Sequence, residues 1–226
     1  MVTRFNGGPA VSWRQAPARA VAGLVVVAVA VTALVMFQSR ERRIEHADGS
    51  GPLQAHSSPG AISIYAPENA PWSGTFGSYV LCSTSGSEIE IEKIRYRTPI
   101  KPISITPQLR VVRSDVRESN PSISYLGSAL GTPPNLSSGK LPGTFRDVTP
   151  DTHIRQSCAQ ENGKGAGFSE LIFTLKVNER GAVVDRIWID YRTENASYTL
   201  RIEFQMVACG TQTTKAATAQ SCDNTA

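Results

Sequence analysis

Histidine is scarce in this chain of 226 residues, and closely spaced cysteine pairs are absent. The histidines are His46, His56 and His153, and only His153 lies beyond residue 65. A Ser-His-Asp arrangement would have to recruit His153 from a loop, and no serine stands in a G-x-S-x-G elbow. The four cysteines, Cys82, Cys158, Cys209 and Cys222, are 76, 51 and 13 residues apart. A structural zinc site wants pairs such as C-x2-C, so these spacings argue against one. Two of the three methionines, Met1 and Met36, lie in the first 37 residues, which leaves no Met/His ligand set for copper. The glycine-rich "ENGKGAGF" (Glu161–Phe168) has no Lys-Ser/Thr after its last glycine and leads into a strand, unlike a phosphate-cradling loop. No catalytic residue, metal or cofactor is expected.

Basic excess is also missing from most of the chain. Residues 1–43 hold six Arg and one Glu, for +5, whereas residues 44–226 hold 17 Lys/Arg and 18 Asp/Glu, for −1. The arginines flank an apolar run, and the remainder has no overall positive field for nucleic acid.

That run is "AVAGLVVVAVAVTALVMF", Ala20 to Phe37, without a charge. As a helix it spans roughly 27 Å, close to the hydrocarbon thickness of a bilayer. A cleaved signal peptide is the alternative, but A-x-A occurs only inside the run (Ala28, Ala30), and its far end reads "LVMFQSRERR". Arginines balance on the two sides, so charge does not orient it. All four cysteines follow it in an even number, which suits an oxidising compartment. The expected organisation is a cytoplasmic N-terminus (1–19), a transmembrane helix (20–37) in the lipid bilayer and a flexible stalk (38–65) rich in Gly, Ser and Pro. An extracytoplasmic domain (66–209) and a polar tail (210–226) complete it.

Within the domain, alternation of apolar and polar residues marks strands. "TFGSYVLC" (Thr75–Cys82) is followed by "EIEIEKIRYR" (Glu88–Arg97), where an extra residue near Glu92–Lys93 would bring Ile89, Ile91, Ile94 and Tyr96 to one face. In "ISITPQLRVVR", Ile103, Ile105, Leu109 and Val111 share parity, and Pro107 predicts an edge strand or a break. "FSELIFTLKV" directs Leu171, Phe173, Leu175 and Val177 inward. The final hairpin pairs Tyr191 with Tyr198, Ile189 with Leu200 and Ile187 with Ile202, with Trp188 opposite Arg201 and Arg186 opposite Glu203 on the other face. Between Ser114 and His153 the pattern disappears, predicting a long loop that is functional or poorly ordered. About seven strands and no helix outside the membrane run predict an all-β fold, an immunoglobulin-like antiparallel β-sandwich.

Candidate chemistry is thin. Trp188, Arg186 and Arg201 could form a recognition surface, or the solvated face of a half-buried sheet with an Arg201–Trp188 cation–π contact. Asp185 would point inward under strict alternation, unless a bulge at Val184–Asp185 turns Val184 inward instead. His153 stands five residues before Cys158, but extracytoplasmic cysteines are more often disulfide partners than nucleophiles. Four cysteines allow three pairings. The short Cys209–Cys222 loop, which would tie back the tail, favours that pair together with Cys82–Cys158.

"YVLCSTSGSEIEIEKI", a cysteine before "ELIFTLKV", and "RIWIDYRTENASYTLRIEFQMVAC" together resemble a group of uncharacterised bacterial envelope proteins with one N-terminal membrane anchor and a β-sandwich outer domain. The resemblance covers about Ser73–Cys209 and implies fold and location, with no activity or site to carry over. The expected role is contact with an envelope protein or a surface polymer, without catalysis. The alternatives are a ligand-binding accessory of an envelope transporter or secretion system, and an envelope hydrolase using the 114–153 segment.

Overall fold

Apolar residues at every second position give the long strands one face to bury; burial follows that alternation in Ile89–Arg97, whereas Trp72–Val80 and Phe168–Val177 are buried on both faces. The computed structural model describes residues 43–161, 165–213 and 222. The expected N-terminus (1–19) and membrane helix (20–37) lie outside these residues; among those described, no helix is long and apolar enough to cross a membrane. The strands are β1 (Ile44–Ala47), β2 (Leu53–Gln54), β3 (Gly60–Ile64), β4 (Trp72–Val80), β5 (Cys82–Ser83) and β6 (Ile89–Arg97). Next come β7 (Ser104–Val112), β8 (Ser128–Thr132), β9 (Asn135–Leu136), β10 (Gly139–Lys140), β11 (Thr144–Asp147) and β12 (Thr152–Ile154). The last are β13 (Phe168–Val177), β14 (Ala182–Val184), β15 (Arg186–Arg192), β16 (Ser197–Ile202) and β17 (Phe204–Ala208). Among the described residues, two short helices, Ser114–Ser119 and Cys158–Glu161, interrupt an otherwise all-β structure.

A five-stranded sheet runs β1-β16-β15-β6-β12, and a seven-stranded sheet runs β10-β9-β8-β4-β13-β7-β11. Ile89, Ile91, Ile187, Ile189, Leu200 and Ile202 from the first sheet share one core with Phe76, Tyr79, Leu109, Leu171, Phe173 and Leu175 from the second. Tyr96 and Tyr79 each meet the Phe173 ring edge-on, at 5.8 and 5.3 Å. The long pairings are antiparallel; β1 on β16 and β3 on β17 are parallel.

The predicted hairpin register is the one observed, and so is the extra residue in β6. Asp190 faces Lys93 while Tyr191 faces Ile91, so Glu92 is bulged, and its carboxylate lies 2.5 Å from Arg43. β7 runs unbroken through Pro107. It pairs with β11 only over Gln108–Val111, which leaves its proline half on the sheet edge. Ile103 precedes the strand and is exposed rather than inward.

The chain changes sheet at Asp185 and Glu203. β15 and β16 belong to the five-stranded sheet, whereas β14 and β17 form a three-stranded sheet with β3. Val184 is fully buried, and the carboxylate of Asp185, at the break, accepts from Nε and Nη2 of Arg97 at 2.7 and 2.8 Å. Asp185 is thus a corner residue with a dedicated partner.

Three expectations need correction. The stalk does not extend to residue 65: β1 lies along the terminal hairpin, Leu53 and Ala55 are fully buried, and β3 pairs with β17. Asp48 organises this stretch by accepting from the amides of Ala55 (2.8 Å) and Ser57 (2.7 Å). Gly/Ser/Pro composition concealed it because its strands are short and its alignment depends on distant residues. The count of about seven strands missed these additions and those between residues 114 and 153. That span, expected as a loop, holds a helix and five strands: β8–β11 extend the seven-stranded sheet, β12 edges the five-stranded one, and residues around Ile123 and Leu126 pack on the outer face of β13.

Candidate functional site

The covered outer face is the least expected feature. Alternation places Phe168, Glu170 and Ile172 of β13 on the side opposite Leu171 and Phe173, and all three are buried. Ile172 packs with Leu126, Ala129 and Leu136, and Phe168 with Val80, Val112 and Ile123. Glu170 sits directly across from Arg110 in the ladder, and their charged ends meet at 2.7 Å with almost no exposure of either side chain.

Arg110 also donates to the carbonyls of Pro142 (2.7 Å) and Ser124 (3.1 Å), and its guanidinium lies over the Phe168 ring. The Glu170 carboxylate accepts from the amides of Ser78 and Leu126, each at 2.8 Å. A bulge in β4 makes this possible: Ser78 takes φ +71, and the pairing with β13 shifts there. Gly77 lets the covering segment approach, since a Cβ would stand 2.5 Å from the Leu126 carbonyl oxygen. Burial pushes the Glu170 carboxyl up, opposed by the Ser78 amide, Arg110 and the Leu126 amide. Both Glu170 oxygens and Nε and Nη1 of Arg110 have partners inside the protein, so the arrangement pins the covering segment.

The sequence-predicted surface is also engaged mainly with itself, although Nε of Arg186 and Nε of Arg201 are buried without a hydrogen-bond partner among the described residues. Trp188 lies on the outer face of the five-stranded sheet under the guanidiniums of Arg95 (5.5 Å) and Arg186 (5.7 Å). Arg201 is not its cation–π partner and instead meets Glu45 (3.3 Å) and Glu203 (3.4 Å), while Arg186 also meets Glu203 (3.3 Å). Arg95 grips Asp190 with two hydrogen bonds, and Arg192 grips Glu90. Trp188, Arg186 and Arg201 are brought together, but as members of an ionic lattice that includes β1.

A different surface has unbalanced charge. At the open side of the core, β11 ends one sheet and β12 ends the other, and a cleft of about 590 Å³ lies between them. Arg113, Arg146, Arg155 and His153 line it with Val111, Thr144, Gln156 and Ser169, and no carboxylate is among these residues. The Arg146 guanidinium donates to the His153 carbonyl at 3.0 Å and forms no ion pair among the described residues. Arg113 reaches Asp115, and Arg155 reaches Glu88, which also lies 2.5 Å from His153 Nδ1. The Arg155 hydrogen bond holds the Glu88 carboxyl below the usual glutamate range, and Glu88 in turn raises Arg155. Both Arg113 and Arg155 remain about three-quarters exposed, free to exchange these carboxylates for an anionic ligand. Sequence reasoning missed this site because its arginines come from separate segments and the domain's net charge is near zero.

The Glu88 carboxylate faces His153 Nδ1, as a carboxylate that orients a catalytic imidazole would. Cys158 is bonded to Cys82, and no described hydrogen bond joins His153 to a serine. The structure pairs Cys82 with Cys158 and Cys209 with Cys222, the pairing that the loop spacing favoured. A second concavity of about 400 Å³ is lined by Tyr65, Pro67, Trp72, Glu68 and Glu179. No protein-family model matches the chain, and no curated protein matches it.

Proposed function

We propose that this chain is a membrane-anchored, extracytoplasmic domain of immunoglobulin-like type that binds an anionic surface polymer of the cell envelope without chemically altering it. The single observation that carries the reading is the cleft between β11 and β12, where three arginines and a histidine converge without a carboxylate among the lining residues. Planar guanidiniums suit carboxylate and phosphate groups, and two free sheet edges give an extended polymer room to lie between them. Two disulfides support an oxidising location, and the uncharged run at residues 20–37 supports a single-pass anchor with its N-terminus in the cytoplasm.

The test is titration of the full chain in mild detergent with polygalacturonate, polyphosphate and neutral dextran. Both polyanions should bind, more weakly as salt rises, and dextran should not. Equal binding to dextran would overturn the reading. Preference for one polyanion would separate carboxylate from phosphate recognition. A second reading, contact with an envelope protein, is favoured by the groove holding Tyr65 and Trp72.

A further inference from the structure

We infer that Cys82–Cys158 is an exchange-active disulfide, with His56 as the acid that protonates its leaving sulfur and a protein or small-molecule dithiol as its reductant. His56 Nε2 lies 3.3 Å from Cys82 Sγ. Nε2 and both sulfurs of the pair lie within 4.8 Å of one another. The imidazole is placed deliberately by the backbone. His56 takes φ +47, a left-handed conformation uncommon outside glycine, while Asp48 holds the amides on either side of it, at Ala55 and Ser57. Its outer side faces solvent, so it can recover a proton after giving one up.

Burial sets the direction of attack. Cys82 is fully buried, whereas Cys158 is partly exposed. An incoming thiolate therefore meets Cys158 Sγ, forming a new sulfur–sulfur bond as the Cys82–Cys158 bond breaks. The electron pair of the broken bond goes to Cys82 Sγ, which takes the proton from imidazolium Nε2. The second thiol of the reductant, as thiolate, then attacks its own sulfur in the mixed disulfide. Cys158 is released as a thiolate and takes a proton from water. Two electrons have passed to the protein, and the dithiol has become a cyclic disulfide. Stabilising the leaving thiolate accelerates exchange. At the other disulfide the described residues place no histidine in this way: Cys222 Sγ accepts from the Thr213 hydroxyl at 3.7 Å, a group that is not an acid at neutral pH. Exchange would also loosen one wall of the basic cleft, because β5 and the Gln156 carbonyl (2.7 Å from the Ser83 amide) join next to the disulfide.

The experiment uses the full chain in mild detergent, dithiothreitol as the dithiol, and timed alkylation with peptide mass spectrometry to follow each disulfide separately. His56→Asn tolerates the left-handed backbone but supplies no acid. It should slow cleavage of Cys82–Cys158 by at least roughly tenfold and leave Cys209–Cys222 unchanged. A monothiol, 2-mercaptoethanol, should leave its adduct on Cys158. The inference is overturned by an unchanged rate in H56N, by equal changes at both disulfides, or by an adduct on Cys82. Polyanion binding is not measured, so the result is independent of the cleft's ligand.

Discussion

The two sheets treat charge on their outer faces in opposite ways. The seven-stranded sheet hides one pair, Arg110–Glu170, beneath the 120–145 segment and surrounds it with backbone partners. The five-stranded sheet spreads many pairs over a partly solvated surface around Trp188. Both faces engage their charges with partners of their own, but only on the first does removal of one partner strand a charge with almost no exposure to water. Covering a face also turns an alternating strand into one buried on both sides, and β13 is that case.

The largest effect should therefore follow from breaking the buried pair. Arg110→Met or Glu170→Leu alone should cost about 3–5 kcal/mol in urea unfolding, and the double variant should cost less than either single change. Additive losses would show that the two residues do not act as a pair.

Asp190 sits between these extremes, buried on the lattice side with bonds from Arg95 and Thr199. Burial raises its carboxyl, but those bonds outweigh it and hold the group below the ordinary aspartate value. The unfolded chain therefore takes up this proton first as pH falls. The stabilisation is full above about pH 4, the unfolded value, and is lost as pH drops through the lower folded value. Asp190→Asn should cost about 1 kcal/mol at neutral pH and less in acid, as read from melting temperature against pH. The smallest effect belongs to the exposed lattice: Glu203→Gln should shift stability by no more than about 0.5 kcal/mol.

These contrasts also explain how much the sequence discloses. The terminal hairpin was legible because its alternation extends over both strands, and one register alone puts Ile187, Ile189 and Tyr191 opposite Ile202, Leu200 and Tyr198. The Glu92 bulge was legible for the same reason: parity breaks once and then resumes. By contrast, Glu170 looks like an ordinary solvent-facing residue, and only the distant amides of Ser78 and Leu126 reveal that it is buried. Segment 44–65 is built from short strands: β1 and β3 find partners about 140 to 155 residues away and β2 finds one about 30 away, all beyond any local period. The candidate cleft shares this non-local origin. Arg113, Arg146 and Arg155 have no common motif and meet only because β11 and β12 end neighbouring sheets.

Charge reversal of the cleft tests the central claim most directly. Arg146→Glu with Arg155→Glu should weaken binding of whichever polyanion the full chain prefers by roughly tenfold or more, about 1.4 kcal/mol, while Arg186→Glu on the lattice leaves it unchanged. Equal losses from the cleft and lattice variants, or none from the cleft, would contradict the account.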